Sequence, residues 1–303
     1  MPAKLSYINA RGTEIVLDDD ERSFLGELQG REGFEAPEIE LSSVQYGNGT
    51  EETISAKLKP REATCYFWAE TLDWKRFDRK FSDLKASLIQ VGAKPKSWGR
   101  LRIRKRSGGY VYLNCLYSEG LDSMVRDSET RAAFHLTFKA SDPLFYDGYE
   151  QRVELRTWEE GAWLHFGTRF TFGQNTHFRS SDTIHGETVE MECFRAYPVI
   201  TITGPARNIM LRNLTTEQVI ALEPEFELLE GETFEIRTDP LTRSAVWHRF
   251  DGTERNGSKF LTAESHLEWY LCHGVNELQY RNSDTNEVSV CVLRYQQGWL
   301  SVE

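Results

Sequence analysis

Residues 196–222 read AYPVITITGPARNIMLRNLTTEQVIAL, and this stretch carries the clearest structural pattern of the chain. From residue 198 to residue 203 the side chains alternate in polarity and most are β-branched, which predicts a strand with one dry face and one wet face. Gly204 and Pro205 then end the strand, because proline fixes φ and glycine tolerates conformations that other residues avoid.

Two more strands are predicted directly after this break. One runs through Ile209 and Leu211, residues 213–216 (Asn-Leu-Thr-Thr) form a turn, and residues 218–222 form the next strand. Consecutive strands joined by short turns predict a β-meander that opens a new domain. The meander lacks the residue types that would indicate catalysis.

The rest of the second half has the same character. Strands are predicted at residues 234–238 and 244–250, and a final hairpin is predicted from residues 278–280 and 288–295 around Asn282. An all-strand domain of this kind is typical of a β-sandwich. Residues 151–195 are rich in aromatic residues and glycine and are interpreted as a connector that contains one or two strands.

The first half is also mainly strands, interrupted by one prominent helix. Apolar residues spaced by three and four predict the helix, Asp73 is placed to cap its start, and packing on its own sheet is favoured over a partner-binding role. These apolar residues are Trp74, Phe77, Phe81, Leu84 and Leu88. The break at Asp142-Pro143 places the end of this domain near residue 150.

A hairpin with a basic face follows the predicted helix. Residues 100–104 alternate arginine with apolar residues, residues 107–109 form the turn, and residues 111–115 return. Arg100, Arg102 and Arg104 therefore project from one side of a strand. A solvated face is the simple interpretation, and a subunit contact or a channel lining is the more specific one.

Composition limits the possible functions. The 303 residues suit two domains, and the net charge of −11 argues against a surface that grips nucleic acid. No apolar run approaches the roughly 20 residues that span a bilayer, and the amino-terminal residues lack the apolar core of a secretion signal. We therefore expect synthesis in a cytoplasm and no insertion into a membrane.

No motif for catalysis or metal binding is present in the sequence. The five cysteines include no CxxC pair, the seven histidines show neither HxxxH nor HExxH spacing, and the nucleophile elbow and phosphate-binding loops are absent. We therefore predict a protein that is not an enzyme, without a catalytic residue, metal site or cofactor.

The chain resembles distal tail proteins (Dit-like proteins) of long-tailed, siphovirus-type bacteriophages. Short motifs in a shared order over both halves carry the resemblance. They are residues 37–41 (Pro-Glu-Ile-Glu-Leu), Pro60-Arg61, Gly99-Arg100-Leu101, residues 138–143 (aromatic-Lys-Ala-x-Asp-Pro), Tyr197-Pro198, Gly204-Pro205, residues 213–216, Gly231-Glu232 and residues 238–240 (Thr-Asp-Pro).

The resemblance implies a structural hub. Residues 1–150 would form a ring-forming domain resembling a β-sandwich or barrel, residues 151–195 the connector, and residues 196–303 a galectin-like β-sandwich. The ring, commonly a hexamer in this family, would join the tail tube to the baseplate and the receptor-binding apparatus at the tip of a phage or phage-derived tail. The implied partners are other copies of the chain, tail tube protein, tail-tip or tape-measure proteins and receptor-binding proteins, with DNA only as passing cargo. Synthesis would take place in the cytoplasm of the host bacterium.

A carbohydrate-binding adhesin is the alternative function, acting on a host glycan through the second domain. Sugar rings stack on aromatic faces, and the candidate residues are Trp247, Trp269, Tyr270 and Trp299. In a β-sandwich such residues more often belong to the core.

Overall fold

The computed structural model describes residues 4–18, 25–45, 51–89, 99–156, 183–283 and 289–302. These residues form antiparallel sheets and one prominent helix, so the prediction of a mainly β protein is confirmed. The chain divides into two compact units. The first comprises residues 1–148 together with 298–303, and the second comprises residues 149–297.

The first unit holds the helix and most of the strands of the amino-terminal half. In chain order the elements are β1 (Leu5–Ile8), β2 (Glu14–Asp18), β3 (Leu25–Glu32), β4 (Ile39–Gln45), β5 (Glu51–Leu58), β6 (Arg61–Glu70), α1 (Trp74–Leu88), β7 (Gly99–Arg104), β8 (Tyr110–Glu119), β9 (Val125–Ser128), β10 (Arg131–Ala140) and β11 (Phe145–Asp147).

Two sheets and a separate hairpin organise this unit. One sheet has the order β2-β1-β7-β8-β11, and the other has the order β3-β6-β10-β9. The end of β8 also pairs with β10, which links the two sheets. Strands β4 and β5 pair with each other in a two-stranded sheet of their own. The predicted hairpin of β7 and β8 is confirmed, with Arg104 opposite Tyr110 at its closed end.

The helix packs on its own unit, as its spacing predicts. Asp73 caps the start, since its Oδ1 accepts a hydrogen bond from the backbone N–H of Arg76 at 2.8 Å. Phe77, Phe81, Leu84 and Leu88 are buried and belong to the same hydrophobic core as the two sheets. The helix ends at Leu88, and residues 90–98 lie outside the described part of the chain.

The described part of the second unit contains strands and one short 3₁₀ helix at Ser258–Phe260. Its strands are β12 (Gln151–Leu155), β13 (Thr183–Ala196), β14 (Val199–Thr203), β15 (Ala206–Arg207), β16 (Met210–Asn213), β17 (Gln218–Ala221), β18 (Glu227–Leu228), β19 (Thr233–Arg237), β20 (Ser244–His248), β21 (Glu254–Asn256), β22 (Leu271–Asn282) and β23 (Val290–Tyr295). A last strand, β24 (Gly298–Trp299), belongs to the first unit and pairs with β11.

The strands of the second unit form two main sheets. One has the order β17-β16-β22-β13, and the other has the order β12-β23-β14-β19-β20-β21. Strands β15 and β18 add a small two-stranded sheet. In each main sheet alternate side chains are buried, as in β14, where Ile200 and Ile202 are fully buried. Two such sheets are typical of a β-sandwich.

The predicted meander is right in its second and third strands, β16 and β17, which pair around the predicted turn, but its first strand lies elsewhere and the predicted final hairpin is wrong. Strand β14 pairs with β19 and β23, whereas β16 pairs with β17 and β22 in the other sheet. The break at Gly204-Pro205, a cis peptide bond, therefore carries the chain from one sheet to the other. Strands β22 and β23 likewise lie in different sheets. The physical reason is that alternation of side chains specifies a face of a strand but not its neighbour.

The stretch interpreted as a connector contributes strands to the second unit. Strand β12 pairs with β23, and the long strand β13 pairs with β22 over most of its length. Residues 157–182 lie outside the described part of the chain. Among the described residues, no helix is long and apolar enough to span a membrane.

Candidate functional site

Strand β7 carries the predicted basic face, but its three arginines do not share one environment. Arg100 and Arg104 are exposed, and the residues between the arginines, Leu101 and Ile103, are fully buried. Arg102 is half-buried and forms an ion pair with Glu14 of β2, with 2.5 Å between the two side chains. Its guanidinium also lies 4.7 Å from the ring centre of Tyr110.

The ion pair between Arg102 and Glu14 weakens the case for a subunit contact at Arg102. The repulsion among three arginines on one strand is offset inside the chain at Arg102, so Arg102 does not require an acidic neighbour. Arg100 and Arg104 are the members of this face to which a partner has access.

A buried arginine holds three separate segments of the first unit together. The Arg61 side chain donates from Nε to the carbonyl of Pro143 at 2.7 Å and from Nη2 to that of Leu300 at 2.6 Å. Nη1 donates to the carbonyls of Gly33 and Glu35. Burial lowers the pKa of Arg61 to about 10, which still leaves the side chain charged at neutral pH.

Two of the motifs quoted for the family resemblance meet at this arginine. Pro60-Arg61 supplies the guanidinium, and the Asp142-Pro143 turn supplies a carbonyl that accepts from it. Asp142 fixes this turn, since its side chain accepts from the backbone N–H of Leu144 and from the hydroxyl of Tyr146. The sequence pattern located both motifs but contained no signal for their contact, because burial of a charged side chain depends on distant segments.

The Asn-Leu-Thr-Thr turn of the second unit is held by a buried amide network. The side-chain amide of Asn213 donates to Asn276 Oδ1 and to the carbonyl of Tyr270, both at 3.1 Å. Asn276 in turn donates to the carbonyl of Cys272 at 2.8 Å. Both asparagines are fully buried. Thr215 adds a hydrogen bond from its hydroxyl to the carbonyl of Val275. The network gives this motif a structural role.

The remaining motifs of the second unit also make structural contacts. The hydroxyl of Thr238, from the Thr-Asp-Pro motif, donates to the carbonyl of Pro198 in the Tyr-Pro motif at 2.9 Å. Glu232, from the Gly-Glu motif, is fully buried and accepts from the backbone N–H of Leu229 and the indole N–H of Trp247. Arg249 lies 3.6 Å from its second oxygen. These contacts stabilise loops of the second unit.

The hairpin of β4 and β5 exposes an apolar face. Ile39 and Leu41 are 60% and 62% exposed, and their cross-strand partners are Leu58 and Ala56. A salt bridge of 2.7 Å between Lys59 and Glu38 closes the base of the hairpin. An isolated two-stranded hairpin is marginally stable in water, so an apolar face of this kind gains stability when a partner covers it.

The four aromatic residues proposed for sugar stacking do not form a common platform. Trp269 is fully buried, and Trp247 packs against Phe226 and Phe260 at centroid distances of 5.4 and 5.5 Å. Tyr270 is covered on one side by the Arg195 guanidinium, 4.2 Å from its ring centre. Trp299 belongs to the first unit. The arrangement offers no support for the adhesin alternative.

The described residues contain no cluster of three or more histidine, cysteine or acidic side chains that could hold a metal ion. Four of the five cysteines are buried, and none of the five forms a disulfide, which suits small, largely apolar side chains.

The fold is similar to those of two solved phage proteins. The Dit protein of phage SPP1, described as a paradigm of the hub adsorption apparatus in phages that infect Gram-positive bacteria, aligns with a TM-score of 0.60 and 11% identity, covering 97% of this chain and 99% of that one. A chain of the phage P2 baseplate in its activated conformation with Ca aligns with a TM-score of 0.51 and 11% identity, covering 98% and 99%.

No protein-family model matches the sequence, and no curated protein matches it. At 11% identity the structural likeness shows the fold: this chain has the fold of the SPP1 Dit protein over nearly its whole length. The resemblance to distal tail proteins inferred from short sequence motifs is confirmed at the level of the fold.

Proposed function

We propose that this chain is a structural hub protein at the distal end of a phage tail, or of a phage-derived particle. It would form a ring that joins the tail tube to the baseplate and the receptor-binding apparatus. The observation that carries the proposal is the likeness to the SPP1 Dit protein, which extends over both units and 97% of the chain. A role in assembly rather than catalysis also agrees with the structural contacts made by the motif residues.

The proposed partners follow from this role. Other copies of the chain would close the ring, commonly a hexamer in the family that the sequence resembles. Tail tube protein, tail-tip or tape-measure proteins and receptor-binding proteins would contact it at the tail tip, and DNA would pass through the channel. The first unit would form the ring and the second, a galectin-like sandwich, would project from it. Synthesis would take place in the cytoplasm of the bacterial host.

The exposed hairpin provides a test of ring formation. We expect the purified protein to assemble into a closed oligomer, and we expect the double substitution Ile39→Glu/Leu41→Glu to leave it as monomers. Both side chains are exposed in the isolated chain, so the substitution places charge in a contact between copies without affecting a core. Native mass spectrometry and electron microscopy of the assembly measure the outcome.

The matched control places the same charge on the opposite face of the hairpin. Ser42→Glu/Ser55→Glu adds two carboxylates at a cross-strand pair on the polar side, and this variant should assemble like the wild type. Wild-type protein that stays monomeric at every concentration would contradict the hub proposal. A ring that survives Ile39→Glu/Leu41→Glu would contradict the role of the hairpin only.

The basic face gives a second, separate prediction. We propose that Arg100 and Arg104 lie at a contact between copies or line the channel, and we expect Arg100→Glu to weaken assembly if the contact is correct. Such a contact should also weaken as salt rises, since screening shortens to about 3 Å at 1 M. Sedimentation at low and high salt separates the alternatives, because a channel-lining arginine would leave assembly unaffected by both changes.

A further inference from the structure

An open cleft in the first unit joins the basic strand to two other segments. Its volume is about 740 Å³, which lies within the roughly 300–1,000 Å³ of pockets that hold small ligands or short chain segments. The described lining residues are Arg31, Phe34, Glu35, Ala36, Arg104, Arg106, Ser301 and Val302.

The walls of the cleft are held in place by buried hydrogen bonds. Arg61 donates to the carbonyls of Gly33 and Glu35 on one wall and to that of Leu300 on the other. The backbone N–H of Val302 donates to the carbonyl of Phe34 at 3.3 Å, which joins the two walls directly. These hydrogen bonds fix the positions of both walls, so the cleft is a defined part of the first unit.

The charge in the cleft is unusual for this protein. Three arginines and one glutamate line it, whereas the whole chain has a net charge of −11. Within the described residues, neither Arg104 nor Arg106 forms an ion pair, and both are exposed. A guanidinium group is a planar fork of donors that matches a carboxylate or a phosphate. The guanidinium groups of Arg104 and Arg106 are thus available to bind an anionic group in the cleft.

The lining favours a peptide segment over a nucleic acid. Single-stranded nucleic acids bind through bases stacked on exposed aromatic rings. Phe34, the one aromatic among the described lining residues, is buried, with the Phe145 ring 6.0 Å from its centre. Ala36 and Val302 offer aliphatic contact beside the arginines, which suits a peptide with acidic and apolar residues.

We propose that this cleft is a docking site for an acidic segment of a partner polypeptide, whose carboxylates pair with Arg104 and Arg106. The site is distinct from the hairpin contact of the proposed ring, and its occupant contacts one copy of the first unit. Because Arg104 is also proposed for a contact between copies or the channel lining, binding is measured below the protein concentration at which sedimentation detects assembly.

Fluorescence anisotropy with fluorescein-labelled hexaglutamate at low ionic strength tests the proposal. We expect the wild-type chain to bind hexaglutamate more tightly than labelled hexathymidylate. Arg104→Glu/Arg106→Glu should weaken hexaglutamate binding by about tenfold or more, because two charge-assisted contacts are replaced by repulsion. The control Arg76→Glu/Arg79→Glu changes the net charge equally at exposed positions of α1 that do not line the cleft.

The control variant should bind hexaglutamate like the wild type, and melting curves of both variants should match that of the wild type. An equal loss in the two variants would overturn the proposal, because it would indicate a general charge effect. Absence of hexaglutamate binding to the wild type, or tighter binding of hexathymidylate, would also overturn it. The state of assembly, measured in parallel, reports on the proposed hub function separately.

Discussion

Replacement of Arg61 by methionine is expected to lower the free energy of unfolding of the first unit by about 3–5 kcal/mol. Methionine keeps much of the apolar stem but removes the donors, so the carbonyls of Gly33, Glu35, Pro143 and Leu300 lose their hydrogen bonds inside the protein. Each unsatisfied buried group carries a desolvation cost. Chemical denaturation followed by tryptophan fluorescence measures the loss.

Two further variants make this test specific. Arg61→Lys keeps the charge. A single ammonium group cannot donate to carbonyls in three segments at once, so this variant should recover only a small part of the lost stability. Arg79→Met on the exposed face of α1 removes an arginine from the same unit and should change stability by no more than about 0.5 kcal/mol. Equal stability of Arg61→Met and wild type would show that these hydrogen bonds contribute little.

The second large effect is expected in the helix. Phe81→Ala should lower the free energy of unfolding by about 3–5 kcal/mol, because it opens a cavity in the core of the first unit. The Phe81 ring is 4% exposed, stacks on Phe77 at 5.8 Å and meets Phe134 of β10 edge-on at 5.5 Å. Thermal melting together with light scattering measures folding and assembly in the same sample.

The matched control lies on the same helix. Trp74 is also aromatic but is 52% exposed, so Trp74→Ala should destabilise the unit far less than Phe81→Ala. A Phe81→Ala protein that melts like the wild type but fails to assemble would contradict the packing seen here and would place this face of the helix at a partner. A lower melting temperature, with the sheet content of the wild type retained at low temperature, would agree with this packing.

Local patterns in the sequence were sufficient to predict the helix and the β7–β8 hairpin. The helix follows from apolar residues spaced by three and four, and its start follows from Asp73, because capping depends on residues one turn apart. The β7–β8 hairpin follows from alternation around a glycine-rich turn. These features depend on interactions within a few residues, which a single sequence displays directly.

The candidate site was predictable only in part. Alternation placed Arg100, Arg102 and Arg104 on one face, as the structure has them, but the ion pair of Arg102 with Glu14 joins strands that are far apart in sequence. Prediction of the cleft would have required contacts between even more distant segments, because Arg104 lines it together with residues near position 35 and near position 301. No spacing rule connects such positions.

The sequence by itself determined the mainly β composition of both halves, the prominent helix α1, the hairpin turn and the order of motifs that led to the distal tail family. Tertiary structure alone decided which strands are neighbours, so that β14 and β16 entered different sheets and β24 returned to the first unit. It also decided that Arg61 is buried among carbonyls. The physical reason is that backbone pairing and burial are set by contacts between remote segments, whereas propensity and periodicity report only on a residue and its near neighbours.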